Sequence, residues 1–318
     1  LVLTFLYDEP GREIFLYSFI VFSILGMSIW ASSRQQNLPL NISDGFIITT
    51  LFWVVLACVG SIPFYFFGIN ISDAIFESVS GITTTGATTI VGLDNLPKSI
   101  LLYRQLLQWI GGMGLIVLAV AVMPALGIGG GQLYKMELPG SHGSQKLTPR
   151  ITDSAKALWK IYAGLTFMCA TLYLFAGMSL FDSIAHSLST VAGGGFSTHD
   201  ESIGFFNSSF IEATCIIFML LSAASFAVHY AAIFGGKPLK YFYDSEFKFF
   251  LSVVLLIIII SVIVHSVSNS FTDFFSMISS TIFHTVSIVT TSGFTTDNFS
   301  LWPGFLPYLL LVGAFMGA

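Results

Sequence analysis

The sequence predicts an all-α integral membrane protein built from tandem units, each a helix, a re-entrant loop and a second helix. Three observations carry this prediction. The chain is 54% hydrophobic and 9% charged, with a mean hydropathy of +0.84, whereas a soluble domain has about 25% charged residues. Apolar runs of the length that a bilayer requires recur along it. Three shorter segments between these runs repeat one pattern around a glycine.

The apolar runs are predicted to be membrane-spanning helices. A helix rises 1.5 Å per residue, so about 20 residues are needed to cross a hydrocarbon core of about 30 Å. The first predicted span leads, and the others pair into three successive units. The predicted spans are 14–30, 46–67, 101–126, 157–176, 210–234, 247–265 and 304–318.

Between the members of each pair lies a segment too short to span: 73–85, 182–194 and roughly 280–292. Such a helix reaches only about 20 Å, so it must enter the membrane and return on one side. Non-helical backbone at that depth is tolerated only where protein buries it or water reaches it. The predicted divisions are a leading helix and connector (1–45), pore repeat 1 (46–127), a cytoplasmic loop (128–156), pore repeat 2 (157–235), a cytoplasmic loop (236–246) and an incomplete pore repeat 3 (247–318).

The short segments read ESVSGITTTGAT, HSLSTVAGGGFS and HTVSIVTTSGFT, and each is aligned on one reference glycine. The reference glycines are Gly86, Gly195 and Gly293. Nine residues earlier stands a polar residue, and six residues earlier stands a serine. The polar residues are Glu77, His186 and His284, and the serines are Ser80, Ser189 and Ser287.

A glycine framed by hydroxyls and repeated in a hydrophobic chain predicts a pore lined by backbone carbonyls. Carbonyl oxygens replace the water shell of an ion in selectivity filters, and glycine allows backbone angles that a Cβ forbids. A neutral lining suits a weakly hydrated monovalent cation better than calcium or magnesium. The predicted ion-contacting residues are Thr84, Thr85, Gly86, Gly193, Gly194, Gly195, Thr291, Ser292 and Gly293.

The polar residues before each glycine have two interpretations. The three serines either bind the loops to neighbouring segments by hydrogen bonds or simply let helices pack closely. The two histidines are expected to be buried hydrogen-bonding residues, with a proton relay as the alternative, and Glu77 is expected to have the same bracing role. Gly111, Gly112 and Gly114 are expected to allow close helix packing.

Charge indicates the orientation. Most Lys and Arg residues lie on the side opposite the glycine loops, so the positive-inside rule predicts that these loops face outward. Most acidic residues lie on the loop side, where they would attract cations, although positive-inside sorting alone also leaves acids outside. The net charge of −5 is small and scattered, which argues against nucleic-acid binding.

The sequence contains few signals of an enzyme or of a phosphate-binding protein. An intramembrane hydrolase would need a nucleophile and a base that meet, but Ser187 and His186 are adjacent on a predicted helix and face different ways. No GxSxG or HExxH motif is present. GIGGGQ at 127–132 lacks the strand and the GK[ST] of a phosphate loop, so an interface loop is expected. We expect no enzyme activity and no cofactor.

At these motifs the chain resembles the TrkH potassium-uptake proteins of bacteria, within the Trk/Ktr/HKT superfamily. The matching segments are ESVSGITTTGATTIVGLDNLP, YRQLLQWIGGMGLIVLAVA, LSTVAGGGFSTHD and TTSGFTTDNFSLWP, and the likeness covers essentially the whole chain. The resemblance implies four pore repeats with pseudo-fourfold symmetry and potassium as the transported ligand. It also implies a homodimer in the inner membrane, regulated by a cytosolic ring of nucleotide-binding, TrkA-like subunits that contact the loops at 127–156 and 235–248.

The chain departs from this family in several respects. It contains three repeats, and three quadrants cannot close a fourfold ring, so we expect the fourth repeat to be missing from this sequence. Both chain ends are expected to be cut, and the family's gating loop is expected to follow the last residues. Whether the triple glycine 193–195 loosens its quadrant stays open, as does a proton- or sodium-coupled symporter as the alternative to a channel.

Overall fold

In the computed structural model, the described residues are 4, 7, 9, 11–33, 42–114, 151–236, 239–268 and 273–317. Within these ranges every regular element is helical, which confirms the predicted all-α class. The α-helices are α1 (Arg12–Ser33), α2 (Ile42–Phe66), α3 (Ile71–Ile82), α4 (Lys98–Gly112), α5 (Ile151–Phe175), α6 (Leu180–Ala192), α7 (Ser209–Ser222), α8 (Phe226–Ile233), α9 (Lys240–Tyr243), α10 (Ser245–Ser268), α11 (Phe274–Val289) and α12 (Leu306–Gly317). Short 3-10 helices follow at Leu93–Asn95, Ser202–Phe206 and Phe299–Leu301.

Three helical stretches in the described part of the chain are long and apolar enough to cross a membrane: Arg12–Ser33, Lys156–Phe175 and Ser245–Ser268. Their large apolar side chains are widely exposed; Leu255 and Ile263 on α10 are both 57% exposed. A soluble monomer rarely exposes so much contiguous apolar surface, whereas a lipid-facing helix must do so. These helices therefore agree with the membrane prediction.

The predicted span 210–234 is wrong as a single helix. The chain breaks after α7 and resumes at α8, because Ser225 is in an extended conformation and begins the second helix. The buried ring of His229 lies 2.9 Å from the carbonyl oxygen of Leu221, near the end of α7, and 2.6 Å from the hydroxyl of Tyr241. A buried helix end needs such partners for its unpaired carbonyls. Hydropathy does not register them.

The short helices α3, α6 and α11 begin in the same way. The side chains of Asn70, Ser179 and Asp273 each accept a hydrogen bond from the backbone N–H three residues ahead. Such a cap satisfies one of the N–H groups left free at a helix start. The three helices contain 12, 13 and 16 residues, so none reaches the length of about 20 that a bilayer core requires.

Each short helix packs between the helix before it and the helix after it: α3 between α2 and α4, α6 between α5 and α7, and α11 between α10 and α12. In addition α6 packs against α4, and α11 packs against α7. The second and third short helices, α6 and α11, therefore also contact a helix of the preceding unit. Consecutive units stand side by side through these contacts.

Glycines at the end of α4 provide close contact with both neighbouring short helices. A Cβ on Gly111 would overlap the backbone carbonyl of Ile82, and one on Gly112 would lie 3.2 Å from Ala192. The expected packing role of these glycines is confirmed. Helix α5 begins at Ile151, within the segment 128–156 predicted as a loop, and residues 115–150 lie outside the described part of the chain. The predicted divisions stay a prediction.

Candidate functional site

The three glycine loops share one backbone conformation. Gly86, Gly195 and Gly293 have φ values of 76°, 71° and 81°. The residues two positions earlier are also left-handed: Thr84 at 56°, Gly193 at 71° and Thr291 at 60°. The residues between them are not among the positive-φ residues. Glycine adopts a positive φ readily, whereas residues with a Cβ rarely do.

A left-handed threonine is uncommon and costs about 1–2 kcal/mol relative to a right-handed one. Thr84 and Thr291 both adopt this unfavourable conformation, at equivalent positions in two loops separated by about two hundred residues. Such conformations persist where the surroundings enforce them, and they cluster at functional sites. The loops are therefore candidates for the functional site.

The three loops meet one another through backbone contacts. A Cβ built on Gly86 would overlap the carbonyl oxygen of Gly194, and one built on Gly195 would overlap the carbonyl oxygen of Ser292. The middle carbonyls of the second and third loops thus occupy the side-chain space of the reference glycine in the loop before each of them. Beside Gly293 no atom of the described residues lies within 4 Å of such a Cβ. The series is open on that side.

These contacts bring together all three groups of predicted ion-contacting residues. Gly194 and Ser292 are buried, while Thr85 and Thr291 are exposed. The contacts also add a reason for glycine that the sequence did not reveal: at Gly86 and Gly195 there is no room for a Cβ. The role of these residues as ion ligands stays a prediction.

The first loop is braced by a buried ion pair. Glu77 and Arg104 are both fully buried, and the guanidinium Nε lies 2.5 Å from the Glu77 carboxylate. The Thr88 hydroxyl, two residues after the reference glycine, also donates to this carboxylate at 3.0 Å. Arg104 further donates to the carbonyl oxygen of Ser197 in the second loop at 3.0 Å. The guanidinium lies 4.3 Å from the ring centre of Phe196.

The second and third loops are braced by hydrogen-bonding contacts of buried histidines. Nε2 of His186 lies 2.9 Å from the Ser197 hydroxyl, and Nδ1 lies 2.9 Å from the carbonyl oxygen of Asp182. Nδ1 of His284 lies 2.9 Å from the carbonyl oxygen of Ser280, and Nε2 lies 3.2 Å from that of Asp297. Each histidine thus holds its helix to the chain just after the loop. Hydrogen bonding was the role expected for both.

The serines six residues before the reference glycines donate hydrogen bonds, so their role is more than close packing. Ser80 donates to the carbonyl oxygen of Ala87 at 2.6 Å, and Ser287 donates to that of Phe294 at 2.6 Å. Both acceptors stand directly after the reference glycine. In these two loops the serine therefore fixes the peptide group that follows the glycine.

The second loop departs from this arrangement. Ser189 donates to Oε1 of Gln108 at 2.6 Å, and the Gln108 amide donates to the carbonyl oxygen of Gly194 at 2.6 Å. A Cβ on Gly194 would overlap the Gln108 side chain. Packing requires glycine at Gly194 and Gly195, because a Cβ on either would overlap a neighbouring group, whereas Gly193 has a positive φ that threonine adopts at the equivalent positions of the other two loops. Neither Arg104 nor Gln108 was predicted to contact the loops.

A polar cluster lies between the first two units. One ring nitrogen of His199 bonds to the carboxylate of Asp94, and the other lies 3.5 Å from that of Asp182. The hydrogen bond from His199 lowers the pKa of Asp94. Burial acts to lower the pKa of His199, but the two carboxylates outweigh burial and raise it. Asp200 accepts hydrogen bonds from the backbone of Gly92 and Leu93.

Comparison with known proteins agrees with this geometry. The family described as TrkH, cation transport protein, matches residues 11–318. This chain belongs to the TrkH family. It is 48% identical over 317 residues to the Trk system potassium uptake protein TrkH of Vibrio parahaemolyticus, covering 98% of this chain and 65% of that protein. The Escherichia coli K12 protein of the same name is 47% identical over 313 residues, with the same coverage.

Among solved structures, the crystal structure of the potassium transporter TrkH from Vibrio parahaemolyticus superimposes with a TM-score of 0.86 at 45% identity. The match covers 99% of this chain and 65% of that one. The chain thus spans about 65% of the length of these TrkH relatives. The family resemblance drawn from the motifs is confirmed.

Membership of the TrkH family and the local contacts both argue against a hydrolase. The relatives are named as potassium uptake proteins. Ser187 donates its hydroxyl to the carbonyl oxygen of Ile184 in its own helix, at 2.8 Å. The His186 ring contacts Ser197 instead of Ser187. In the described residues no group of three or more His, Cys, Asp and Glu side chains is placed to hold a metal ion.

Proposed function

We propose that this TrkH-family chain contributes three quarters of a selectivity filter for potassium uptake across the bacterial inner membrane. One observation carries the proposal: the middle carbonyls of the second and third loops lie against the reference glycines of the first and second loops. Gly194 meets Gly86 in this way, and Ser292 meets Gly195. Three backbones with the same φ pattern converge at one place, as a ring of carbonyl oxygens around an ion requires.

The chemistry of the loops fits a potassium ion. Carbonyl and hydroxyl oxygens from Thr84, Thr85 and Gly86 and from the equivalent residues of the other loops would replace its water shell. No carboxylate lies within these triplets, and calcium or magnesium would favour charged oxygens. The C-terminal ends of α3, α6 and α11 lead into the loops. The partial negative charge at a helix C-terminus favours a cation there.

A fourth, equivalent loop is proposed to complete the filter beside Gly293 and give pseudo-fourfold symmetry. Two features support this. At Gly293 the space that a neighbouring carbonyl occupies at Gly86 and Gly195 is free of described atoms, and the relatives are longer than this chain. Each subunit of a homodimer would then have its own pore, with the glycine loops facing outward. A cytosolic ring of nucleotide-binding, TrkA-like subunits would gate it.

The proposal is tested by ion flux through the complete protein in liposomes. We expect potassium and rubidium to pass better than sodium. The Gly195→Ser substitution should lower the potassium-over-sodium ratio by distorting the second loop. Gly293→Ser serves as a second variant, at the reference glycine of the third loop, which has a similar left-handed φ.

Gly236→Ser is the matched control. It also has a positive φ, 61°, and open space around its Cβ, but it lies outside the loops. Its ion ratio should equal that of the wild type. An unchanged ratio in both loop variants contradicts the filter assignment, and uphill potassium movement driven by a proton gradient would indicate a symporter instead of a channel.

A further inference from the structure

Gln108 lies on α4 of the first unit and forms hydrogen bonds with the second loop. Among the described residues, the other two loops have no equivalent amide contact. The Gln108 side chain is fully buried. It accepts hydrogen bonds from the hydroxyl of Ser189 at 2.6 Å and from the backbone N–H of Phe196 at 3.2 Å, and it donates one to the carbonyl oxygen of Gly194 at 2.6 Å. Three groups of one loop are thus bound to a single amide that belongs to the preceding unit.

In the first and third loops the equivalent serine bonds directly to the loop backbone. Ser80 and Ser287 reach the carbonyl oxygen of the residue after the glycine directly. In the second loop the equivalent serine, Ser189, donates to Gln108 instead, and the Gln108 amide donates to the loop backbone at Gly194. The amide therefore replaces a direct serine contact with an inserted link. The link acts on the carbonyl before the reference glycine instead of the one after it.

An amide side chain suits this set of contacts, because it both donates and accepts hydrogen bonds. A neutral glutamine side chain offers a carbonyl oxygen with two lone pairs and an NH₂ group with two donors. Here the oxygen takes two donors, Ser189 and Phe196, and the NH₂ group takes one acceptor, Gly194. An ionised carboxylate has no donor for Gly194, and a thioether offers neither a comparable donor nor a comparable acceptor.

The hydrogen bond to Gly194 is directed at a group that the proposed function depends on. The carbonyl oxygen of Gly194 also lies against Gly86 of the first loop. A carbonyl oxygen has two lone pairs, so one hydrogen bond from Gln108 still leaves it able to accept a second interaction. The bond restricts where this oxygen can stand and thus how far the first and second loops are apart.

We propose that Gln108 is a specificity-determining positioning residue, whose amide holds the Gly194 carbonyl and thereby sets ion discrimination at the junction of the first two loops. This inference rests on the proposed filter function. Helix α4 carries two buried side chains on the same face, four residues apart: Arg104 is bonded to the first loop and Gln108 to the second. The helix thus acts as a common support for both loops.

The test compares two substitutions at Gln108 in the complete protein reconstituted in liposomes, with rubidium and sodium fluxes measured side by side. Gln108→Met keeps the approximate length and removes all three hydrogen bonds. We expect its rubidium-over-sodium ratio to fall about tenfold, as loss of one well-formed hydrogen bond would produce. Total rubidium flux should fall less than the ratio, because the pathway itself is kept.

Gln108→Glu gives a readout that a merely structural role would not move. Its oxygens still accept from Ser189 and Phe196, but a carboxylate cannot donate to Gly194. A protonated carboxyl can donate. The ratio of this variant should therefore rise toward the wild-type value as pH falls from about 9 to about 5, a window that contains the raised pKa of a buried glutamate. The wild-type ratio should change much less over the same range.

Gln105→Met is the matched control. Gln105 lies in the same helix and is fully buried, and neither amide atom has a hydrogen-bond partner among the described residues. This variant should keep the wild-type ratio. If Gly195→Ser lowers the ratio while both Gln108 variants leave it unchanged at every pH, the inference is overturned and the filter proposal stands. If the wild type itself does not discriminate, the filter proposal fails.

Discussion

The junction between the first and second units includes charged groups beside the neutral amide of Gln108, whereas the described contacts between the second and third units are mainly neutral. At the first junction Arg104, paired with Glu77, reaches the second loop, and His199 bonds to Asp94. At the second junction the backbone of Gly204 donates to the carbonyl oxygen of Thr295 at 3.1 Å.

The second junction has two further contacts. The backbone N–H of Thr295 donates to the Ser202 hydroxyl at 3.2 Å, and the Ser279 hydroxyl donates to the carboxylate of Glu212 at 2.9 Å. Both junctions nevertheless place a middle carbonyl against a reference glycine. The contact between loops is therefore common to both junctions, whereas the side-chain contacts that support it differ. The two junctions should therefore respond differently to substitution and to pH.

The largest expected effect comes from Arg104→Met. Removing the guanidinium leaves Glu77 buried without its partner, and breaking such a pair costs about 3–5 kcal/mol. Ser279→Ala, which removes a hydrogen bond at the other junction, should cost about 1 kcal/mol. Unfolding of the solubilised protein in mixed micelles measures both free energies. Equal losses would remove the difference between the junctions.

The double variant Glu77→Gln/Arg104→Met separates charge from packing. With no carboxylate left unpaired, it should be more stable than Arg104→Met alone, as expected when an uncompensated buried charge is the cause of the loss. A double variant that is no more stable than Arg104→Met would show that lost packing of the long Arg104 side chain, including its contact with Phe196, dominates.

The next effect sharpens what the junctions share. Gly86→Ala and Gly195→Ala each place a Cβ against a neighbouring carbonyl, in addition to the positive-φ penalty of about 1–2 kcal/mol. Gly92 has almost the same φ as Gly86, 77° against 76°, and the nearest atom to its Cβ is 4.0 Å away. The two loop variants should therefore exceed Gly92→Ala in lost stability by about 1–3 kcal/mol. Three equal losses would contradict the close loop contact.

The smallest effect concerns pH. The pKa of His199 is raised above its ordinary value of 6.5, so its contribution to stability is full below that pH and is lost as pH rises through the raised pKa. The pKa of Asp94 is lowered below 3.8, so its contribution is present above that pH and is lost as pH falls through the lowered pKa. The contact should be strongest between about pH 4 and 6.5.

His199→Gln should therefore lower the unfolding free energy most near pH 5 and least near pH 9. The difference should stay below about 1 kcal/mol, because Asp94 is partly exposed and such pairs contribute little. Ser202→Ala at the second junction is the comparison, since it removes a neutral hydrogen bond and its effect should not vary with pH. A pH-independent effect of His199→Gln would show that the ion pair is not formed.

The repeated pattern around Gly86, Gly195 and Gly293 predicted much of what the structure contains. It located the three short helices and the left-handed glycines, because helix length and φ preference are local properties that residue type controls. It also identified Glu77, His186 and His284 as bracing residues, because a polar group buried in an apolar chain needs a hydrogen-bond partner.

Where the sequence reasoning failed, the cause was contact between distant segments. The predicted span 210–234 is broken because His229 and Ser225 support a helix end that average hydropathy does not reveal. Gln108 was not singled out, because its partners lie 81 or more residues away. Arg104 was assigned only a place in the charge distribution, because its contact with the second loop joins residues 93 positions apart. Such partners carry no local signal.

The sequence by itself determined a membrane-embedded helical chain, three equivalent loops and the TrkH family, because composition, segment length and motif are written in consecutive residues. Only the tertiary structure decided that the middle carbonyls of the second and third loops fill the side-chain space of Gly86 and Gly195. It also decided that α4 supports two loops at once, and that one junction includes charged groups while the other is mainly neutral. These features depend on which surfaces meet when the units pack, and packing of distant segments is a property of the whole chain.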